Sequence, residues 1–485
     1  MKQEKQKLYP QFGENKKWGY INKDRDWVIK PQFDWIYGFK EGLSIVKKGS
    51  KEGYINEEGN MVLPPLYDLA DHFSEGLAPV EINGEIKLID KEGRNIDIPY
   101  LNSLGPFANG LAPAGSESGK VGFIDKTGKW IIQPQFNRTS DFQNNIAIIV
   151  VDNNYGVIDK NGNWLIVPNK EEIRFFSEGK LVMREKGKEG IVDTQGNWLL
   201  NPDYNFIGTC SDDGLAIVSK DDKQGYINKD LQTIIELQYE DCFPFEDCKA
   251  IVETSDEYKY GIIDKFNEWI VEPKFDYLER ISDVSAKGFA IASIDFKYGI
   301  ISESGEWVLD PSQYDEITRF NELLLKVVKD GKFGLIDLQF NQVLPLLYDD
   351  LTNLIEDMAE IELNGKHGFI DYYGNVKIKP QFKFAMFFEN GVSVVLTETG
   401  WGLIDKEGNW VTKPEFYDIG LFGDGLFPAK LSLERYGYLN TKEEWAILPT
   451  FDEAKEFYNG KAQVKKEDRW FYINTKGEET TPPEN

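Results

Sequence analysis

The sequence comprises 485 residues, and its 82 Asp and Glu residues outnumber its 55 Lys and Arg residues to give a formal net charge of −27. An acidic excess of this size repels phosphate backbones and anionic lipid, which disfavours nucleic-acid and membrane-surface binding. Hydrophobic residues make up 41% of the chain, enough for a folded core, so we expect disorder only at the tips, residues 1–7 and 478–485.

The opening of the chain predicts a β-hairpin. The segment Trp18 to Asn22 is aromatic and branched, as strands prefer, and we call it the anchor strand. The polar residues that follow predict a turn, which in most later units runs from Asp or Asn to Gly. The segment Trp27 to Lys30 predicts the return strand, and Pro31 ends it because proline cannot donate to a β-ladder.

The next residues predict one more strand. Residues 33–39 indicate a short extended or irregular stretch. Glu41 and Gly42 form a predicted turn into the strand Leu43 to Lys47, which we expect to pair with the next anchor strand. No window of the sequence shows sustained helical periodicity, so the predicted fold class is all-β.

The same unit recurs along the whole chain. Gly19 of the first anchor strand has an equivalent every 34 to 38 residues, and twelve of the fourteen equivalent positions are glycine. A period held this closely predicts a continuous array of about 14 tandem antiparallel β-repeats over residues 8–483. The equivalent positions are Gly19, Gly53, Lys87, Gly122, Gly156, Gly190, Gly225, Gly261, Gly299, Gly334, Gly368, Gly402, Gly437 and Phe471.

Other positions recur with this glycine. Two residues after it the side chain is aliphatic, three after it is Asp or Asn in every unit except that of Ser302, eight after it is often Trp, and twelve after it is usually Pro. This pattern of WGxID, KxGxW, xPxF/YD and an EGLA-like step resembles the WG-repeat family, also called the KWG repeat. The resemblance departs at Lys87 and Phe471 and in the stretched units between Gly225 and Gly334. It implies a bacterial β-repeat protein and carries no catalytic signature.

The anchor strand predicts how the repeats pack. Trp18 and Tyr20 point to one side and Ile21 to the other, and both sides are apolar in nearly every unit. A strand that is apolar on both faces must be covered on both, which small antiparallel sheets achieve by stacking face to face. The anchor glycine either lets a bulky ring approach closely or marks a simple bulge or bend.

Face-to-face stacking has an open and a closed solution. Fourteen units exceed the roughly 4 to 8 blades of one β-propeller, and no linker near the middle separates two rings. We therefore expect an open elongated solenoid or superhelix. The alternative is two seven-bladed β-propellers.

The sequence predicts a cytoplasmic protein. Residues 1–13, MKQEKQKLYPQFG, contain no apolar run of signal-peptide length, and no later segment is long enough to span a bilayer. The three cysteines, Cys210, Cys242 and Cys248, are too few to staple a chain of this length. A secreted form whose leader had been removed would have the same sequence features.

Few residues are suited to metal or nucleophilic chemistry. His367 occupies a position that holds Trp or Tyr in other units, which indicates packing, and His72 lies in a predicted loop without a repeated partner. Cys242 and Cys248 lack the second pair that a zinc site of the usual spacing requires. The sequence therefore predicts no catalytic, cofactor-binding or metal-binding residue, and it leaves the binding surface unassigned.

Three further patterns have structural interpretations. Residues 115–120, GSESGK, lack the spacing of a phosphate-binding loop, and residues 159–163, DKNGN, lack the alternate acidic ligands of a calcium loop. Carboxylates that recur after the Pro are interpreted as bonding backbone in that loop rather than as paired catalytic acids. They are Asp34, Asp276, Asp315 and Asp349.

Three hypotheses describe the function. The first is a non-catalytic scaffold that binds another protein, one rich in basic residues, such as a toxin or effector that it neutralises. The alternative is a carbohydrate or cell-envelope binder, although only Trp35 lies outside the recurring Trp positions, so we expect the Trp residues to be mostly core. The third is an enzyme site in the stretched units near residues 279–298, where a tolerated loop insertion is the structural explanation.

Overall fold

The computed structural model describes residues 8–13, 17–22, 26–281, 288–431, 435–442 and 444–482. All regular structure in these residues is β, which confirms the predicted fold class. The strands form fourteen successive antiparallel sheets, the first with three strands and the others with four. Within this part of the chain, no helix is long and apolar enough to cross a lipid bilayer. Residues 1–7 and the C-terminal tip, residues 484–485, lie outside the described residues. The disorder expected from residue 478 onward is wrong at Glu479–Thr480, which forms a strand of the last sheet.

The chain divides into two compact units, residues 1–273 and 274–485. Eight sheets begin in the first unit. Their strands are, for sheet 1, Tyr9–Phe12, Trp18–Ile21 and Trp27–Phe33; sheet 2, Trp35–Ile36, Leu43–Lys48, Lys51–Asn56 and Met61–Tyr67; sheet 3, Leu69–Ala70, Leu77–Ile82, Glu85–Asp90 and Asn95–Ile96; sheet 4, Ser103–Leu104, Leu111–Gly115, Val121–Asp125 and Trp130–Phe136; sheet 5, Arg138–Thr139, Ile146–Val151, Asn154–Asp159 and Trp164–Lys170; sheet 6, Glu172–Ser177, Lys180–Glu185, Lys188–Val192 and Trp198–Tyr204; sheet 7, Phe206–Ile207, Leu215–Lys220, Lys223–Asn228 and Thr233–Tyr239; and sheet 8, Asp241–Cys242, Lys249–Glu253, Tyr260–Asp264 and Trp269–Phe275.

The second unit contains six sheets. Their strands are, for sheet 9, Tyr277–Arg280, Phe289–Ile294, Lys297–Ser302 and Trp307–Tyr314; sheet 10, Glu316–Arg319, Leu324–Lys329, Lys332–Asp337 and Gln342–Tyr348; sheet 11, Asp350–Leu351, Met358–Leu363, Lys366–Asp371 and Val376–Phe382; sheet 12, Phe384–Ala385, Val392–Leu396, Trp401–Asp405 and Trp410–Phe416; sheet 13, Asp418–Ile419, Leu426–Lys430, Tyr436–Asn440 and Trp445–Phe451; and sheet 14, Glu453–Ala454, Lys461–Lys466, Arg469–Asn474 and Glu479–Thr480.

Each four-stranded sheet has one order: a short strand, an inner strand, the anchor strand and the return strand. The predicted pairing of the inner strand with the next anchor strand is confirmed, since Val46 lies opposite Gly53. The short extended stretch predicted for residues 33–39 contains Trp35–Ile36, the short strand of sheet 2. Two residues carry too weak a pattern to be recognised as a strand, and only pairing with the inner strand reveals it. The predicted end of the return strand at Pro31 is wrong, because that strand runs through Pro31 to Phe33.

The sheets bury both of their faces, as the two-sided anchor strand predicts. One cluster combines Tyr54 and Leu63 of sheet 2 with Ile89 of sheet 3, and the next combines Leu88 of sheet 3 with Ile124 of sheet 4. Because neighbouring residues of a strand point to opposite faces, Leu88 and Ile89 belong to different clusters. The same alternation joins consecutive sheets in both units.

The predicted face-to-face stacking of tandem repeats is confirmed within each unit. In the described residues of each unit, the buried clusters combine consecutive sheets.

The anchor glycine faces a bulge in the return strand. Trp18 pairs with Phe33 and Tyr20 with Ile29, so residues 30–32 lie opposite Gly19 alone. A Cβ on Gly19 would lie 2.3 Å from the Ile29 carbonyl oxygen. In some units a Trp ring of the same sheet also closes in, as for Gly190, where the Cβ would lie 2.7 Å from Trp198. The anchor glycine therefore both faces a bulge and, in some units, allows a Trp ring to approach. The close contact with the return-strand backbone recurs from unit to unit.

The expectation that the Trp residues are mostly core is wrong for three of the eight Trp residues that open return strands. Trp27, Trp164 and Trp410 are each about two-fifths exposed. Each of these residues opens a return strand, which lies at the edge of its sheet. Trp164 packs edge-on against Phe136 of the preceding sheet, with ring centroids 5.9 Å apart. These rings cover the margin of the stack rather than its centre.

Candidate binding surface

The loops that join short and inner strands in the second unit form the candidate surface. Four of them follow one another in sheets 11 to 14, at residues 352–357, 386–391, 420–425 and 455–460. We call these four loops the loop row. Each begins after a two-residue strand and ends in a tight turn into the inner strand.

Carboxylates hold neighbouring loops of the row together. The backbone N–H groups of Asn390 and Gly391 donate to the Glu356 carboxylate at 2.6 and 2.9 Å. The N–H of Gly460 donates to Asp424 in the same way, at 2.6 Å. These bonds join the turn of sheet 11 to that of sheet 12 and the turn of sheet 13 to that of sheet 14. The loops of sheets 12 and 13 meet through Met386 and Phe422, which pack against the same buried cluster.

Apolar side chains of the row stand exposed. Phe387 and Leu421 occupy equivalent positions in sheets 12 and 13 and are 51% and 50% exposed. Ile355 and Tyr458 are 43% and 73% exposed at a second equivalent position. Single exposed apolar residues are ordinary, but four on successive loops of one row form an apolar strip.

The strip is set among carboxylates. The four loops contain one cation, Lys455. They contain five acidic residues, Glu356, Asp357, Glu389, Asp424 and Glu456.

Glu389 differs from the other carboxylates whose contacts define the row. Its side chain is half-buried, and among the described residues no protein group donates a hydrogen bond to its carboxylate. Burial raises the pKa of Glu389, and the nearby negative charge of Glu356 raises it further. The charged form therefore lacks a compensating partner in the free protein.

In the first unit, equivalent loops are joined by the same kind of turn-to-turn hydrogen bond. The N–H of Glu75 donates to Glu41 at 2.6 Å, and the N–H of Gly110 donates to Glu75 at 3.0 Å. These loops are acidic as well, with Lys40 as their one Lys or Arg, and they expose Tyr37 in sheet 2 and Phe243 in sheet 8. The loop row differs in that an exposed apolar side chain recurs in four consecutive sheets.

The two histidines have structural surroundings. The His367 Nδ1 lies 2.5 Å from Glu360, and the ring lies beside Phe384, which fits the packing role predicted for it. His72 lies in a loop, as expected, with its ring edge-on to Tyr37. Burial of the His72 imidazole lowers its pKa.

The cysteines are free and do not gather into a site. Burial raises the pKa of the Cys242 thiol to about 12, which makes it a poor nucleophile at neutral pH. Cys248 is exposed in a tight turn, and its backbone N–H donates to Asp213 at 3.0 Å. In the described residues, no group of three or more His, Cys, Asp or Glu side chains is placed to hold a metal ion.

The two loop patterns considered in the sequence are turns. Residues 115–120 connect inner and anchor strands, and the Ser116 hydroxyl donates to the Lys120 carbonyl oxygen at 2.9 Å. Asp159 accepts hydrogen bonds from the N–H groups of Asn161 and Asn163, both at 2.9 Å. Asp159 therefore caps the hairpin turn between the anchor and return strands of sheet 5.

The recurring aspartates bond backbone as predicted, but at a different place. Asp34 accepts a 2.7 Å hydrogen bond from the N–H of Gly49, in the turn between inner and anchor strands rather than in the loop after the Pro. Asp34 also pairs with Lys17 of the preceding anchor strand. The remaining members of the set accept bonds from the equivalent turns: Asp276 from Asp295, Asp315 from Asp330 and Asp349 from Asn364.

The stretched region considered for an enzyme site is largely strand. Tyr277–Arg280 pairs with Phe289–Ile294, and residues 282–287 between them lie outside the described residues. The extra length therefore falls in the connection between a short and an inner strand.

The sequence analysis missed Phe387, Leu421 and Glu389. A signal was present: the position of Phe387 holds Gly38, Pro106 or other residues elsewhere in the array, so an aromatic there departs from the repeat. Its exposure could not be read from composition, because Phe388 next to it is buried.

Twelve segments of the chain match the family described as WG containing repeat. The chain belongs to this family. The matched residues are 18–51, 53–85, 122–155, 155–188, 190–223, 225–258, 260–295, 298–333, 333–366, 368–398, 401–432 and 436–470. The unmatched units are those in which Lys87 and Phe471 replace the anchor glycine.

No curated protein matches the WG-repeat chain significantly. Among solved structures, a eukaryotic initiation factor is 11% identical with a TM-score of 0.41, covering 63% of this chain and 96% of that one. PorZ, a surface component of the type-IX secretion system of Porphyromonas gingivalis, is 9% identical with a TM-score of 0.27, covering 96% and 85%. BamB from Moraxella catarrhalis is 12% identical with a TM-score of 0.28, covering 61% and 94%.

Proposed function

We propose that this WG-repeat protein is a non-catalytic, cytoplasmic scaffold that binds a basic protein partner through the loop row. The observation that carries the proposal is the exposed apolar strip of Ile355, Phe387, Leu421 and Tyr458 among five carboxylates and one lysine. Apolar contact supplies affinity, while surrounding carboxylates attract cationic partners and repel acidic ones.

The net charge of −27 supports the same partner chemistry. A strongly acidic protein raises the local concentration of basic partners by long-range attraction, which speeds association at low salt. Neutralisation of a basic toxin or effector is the specific form of this proposal, because an acidic surface can cover a basic cleft.

Pull-down with the full chain as bait tests the proposal. We expect wild-type protein to retain a basic protein that salt releases, and the double variant Phe387→Ser/Leu421→Ser to retain much less. The matched control is Leu66→Ser/Leu448→Ser, which removes two exposed leucines, 62% and 67% exposed, outside the row. Equal retention by the two double variants, or retention of acidic proteins only, would contradict the proposal.

Carbohydrate binding is the second candidate, because three return-strand Trp residues are more exposed than expected. Trp27, Trp164 and Trp410 could offer ring faces to sugars at the sheet margins. A glycan array with wild-type protein and Trp164→Ala would test it. Binding that the substitution abolishes would favour this function, and an array without signal would remove it.

A further inference from the structure

We infer that Glu389 is the cation-recognising residue of the loop row: its carboxylate binds a Lys or Arg side chain of a basic segment whose apolar side chains lie on Phe387 and Leu421. The inference rests on the proposed function, in which the row is a protein-binding surface. It adds the residue that selects the partner and the pattern of side chains that the partner presents.

The carboxylates of the loop row differ in their hydrogen-bond partners. Glu356 is occupied by two backbone N–H groups and by Lys406, whose ammonium lies 3.4 Å away. Asp424 is occupied by the N–H of Gly460. Within the described residues, the carboxylates of Glu389, Asp357 and Glu456 receive no hydrogen bond from the protein, and of these three Glu389 is half-buried while the other two are exposed.

The electrostatic surroundings of the Glu389 carboxylate favour a bound cation. A half-buried carboxylate without a donor has lost part of its hydration and gained nothing in exchange. The Glu356 charge adds repulsion, as the raised pKa of Glu389 shows. A cation bound between them restores a partner to Glu389 and lowers the repulsion at once, so binding of positive charge is favoured at this position.

The surroundings of Glu389 include exposed apolar side chains. Phe387 precedes it by two residues in the same loop and is 51% exposed. Leu421, 50% exposed, holds the position equivalent to Phe387 in the next sheet. A cation on Glu389 is therefore flanked by apolar surface, and the Phe387 ring face adds a favourable contact for an ammonium or guanidinium group.

The carboxylate and the apolar side chains around it together select one kind of binding partner. Charge alone would accept any polycation, and apolar surface alone would accept any hydrophobic segment. The two together select a protein segment that places apolar side chains beside a Lys or Arg. A second copy of this chain is disfavoured by its acidity, since two such rows would repel each other.

A labelled peptide tests the inference directly. The probe is a twelve-residue peptide of alternating Lys and Leu with a fluorescein label, titrated by anisotropy against the full chain. We expect Glu389→Gln, which keeps the side-chain shape and removes the charge, to weaken binding about tenfold. The double variant Phe387→Ser/Leu421→Ser should weaken it to a similar degree. Glu407→Gln, an exposed carboxylate in a hairpin turn of sheet 12, is the matched control and should bind like wild type.

Two control peptides define the selectivity. Alternating Lys and Ser should bind the wild-type protein clearly more weakly than Lys and Leu, and alternating Glu and Leu should not bind. Unchanged affinity of Glu389→Gln, equal affinity for the Lys–Ser peptide, or binding of the Glu–Leu peptide would overturn the inference. Loss of self-association in the same variants, measured by sedimentation, with no change in peptide affinity would reassign the row to contacts between copies.

The peptide titration tests the role of Glu389, and the pull-down tests the proposed function, so their negative results can be told apart. A cellular partner held equally by wild type and Glu389→Gln, and lost from the Phe387→Ser/Leu421→Ser variant, would leave the proposed function intact and overturn the role of Glu389. Absence of any basic partner in the pull-down would count against the proposed function, whereas the inference about Glu389 is decided by the peptide.

Discussion

A glutamate in a left-handed conformation is the residue that connects the tight turns of this array. Glu41, Glu75 and Glu356 have φ values of 50°, 51° and 50°, where Asn or Gly is usual in a two-residue hairpin turn. Their carboxylates accept hydrogen bonds from the backbone N–H groups of the next turn, as the shorter Asn109 and Asp424 side chains do at equivalent positions. Local strain is accepted in exchange for a contact between sheets.

A second residue-level device replaces the aromatic side chain that precedes the anchor glycine. Glu52 and Glu189 stand at this position, and both are buried. Their carboxylates accept the N–H of the next short strand, from Ala70 at 2.8 Å and from Ile207 at 2.7 Å. A buried charge is tolerated only with such partners, and at Glu189 two arginines complete the set.

We expect Glu189→Gln to lower the free energy of unfolding by about 2 kcal/mol at neutral pH, because two guanidinium groups lose the buried charge of Glu189 and keep only that of Glu172. Urea titration followed by Trp fluorescence measures the change. Glu236→Gln, an exposed carboxylate on a return strand, is the control and should change stability by less than about 0.5 kcal/mol. Equal effects of the two substitutions would show that the buried network contributes nothing.

The same residue predicts a pH dependence. Burial alone would raise the pKa of the Glu189 carboxyl, but the two guanidinium groups and the Ile207 N–H outweigh it and lower that pKa. Its stabilisation is therefore complete above the unfolded carboxyl pKa of about 4.3 and is lost as the pH falls through the lowered folded-state value. The difference in stability between wild type and Glu189→Gln should shrink on acidification below that range. A difference that grew in acid would contradict the assignment.

At the scale of the elements, the anchor and return strands fit together at a bulge opposite the anchor glycine. The return strand bulges where residues 30–32 face Gly19, and the nitrogen of Pro31 would lie 2.8 Å from a Cβ at that glycine. A proline nitrogen carries no hydrogen that needs an acceptor, so it suits a site where the ladder is interrupted. The Gly and the Pro of the repeat are thus two halves of the same bulge.

We expect Gly156→Ala to destabilise the array by about 3 kcal/mol, because its Cβ would lie 2.7 Å from the Ile166 carbonyl oxygen. Gly38→Ala is the matched control, since a Cβ there would meet no atom within 4 Å and φ is not in the left-handed region. Chemical denaturation of both variants measures the effect. A Gly156→Ala protein as stable as Gly38→Ala would show that the bulge relaxes at little cost.

The turn-to-turn carboxylates predict a local change in hydrogen exchange. Glu356 uses both oxygens as acceptors, whereas a glutamine has one acceptor and would turn a donor toward an N–H group. In Glu356→Gln we expect the amides of Asn390 and Gly391 to exchange about tenfold faster. Glu407→Gln serves as control, and unchanged protection at both amides would exclude a holding role for Glu356.

At the scale of the whole molecule, the chain consists of two units that each bury their own series of clusters. In repeat proteins stability is approximately a sum of terms within and between neighbouring repeats, so the substitutions above should act near their own sheets. Both units are built from the same type of repeat, and they differ in the sequences of the loops that join the strands. The loop row, with an exposed apolar side chain on each of its four loops, lies in sheets 11 to 14.

The net charge of −27 predicts that recognition weakens with salt. Affinity for the Lys–Leu peptide should fall about tenfold between roughly 50 mM and 500 mM NaCl, since the Debye length shrinks over this range. Anisotropy titrations at several salt concentrations measure it. An affinity independent of salt would mean that apolar contact alone holds the peptide.

The sequence by itself determined the repeat, the all-β class, the hairpin turns and the stacking of consecutive sheets. These follow from local rules: periodic Gly and Pro fix the backbone, and a strand such as Tyr54–Ile55, apolar on both faces, must be covered on both. Hairpin capping by Asp159 was predictable for the same reason, because donor and acceptor lie four residues apart or fewer.

Only the tertiary structure decided contacts between residues about 15 or more positions apart. The two-residue short strands, the bond from Asp34 to Gly49 and the bond from Glu356 to Asn390 depend on which segments become neighbours. Exposure was decided in the same way: Phe387 and Phe388 are equally apolar, yet one faces outward and the other is covered by the adjacent sheet. The candidate surface is therefore a product of stacking, which no single repeat specifies.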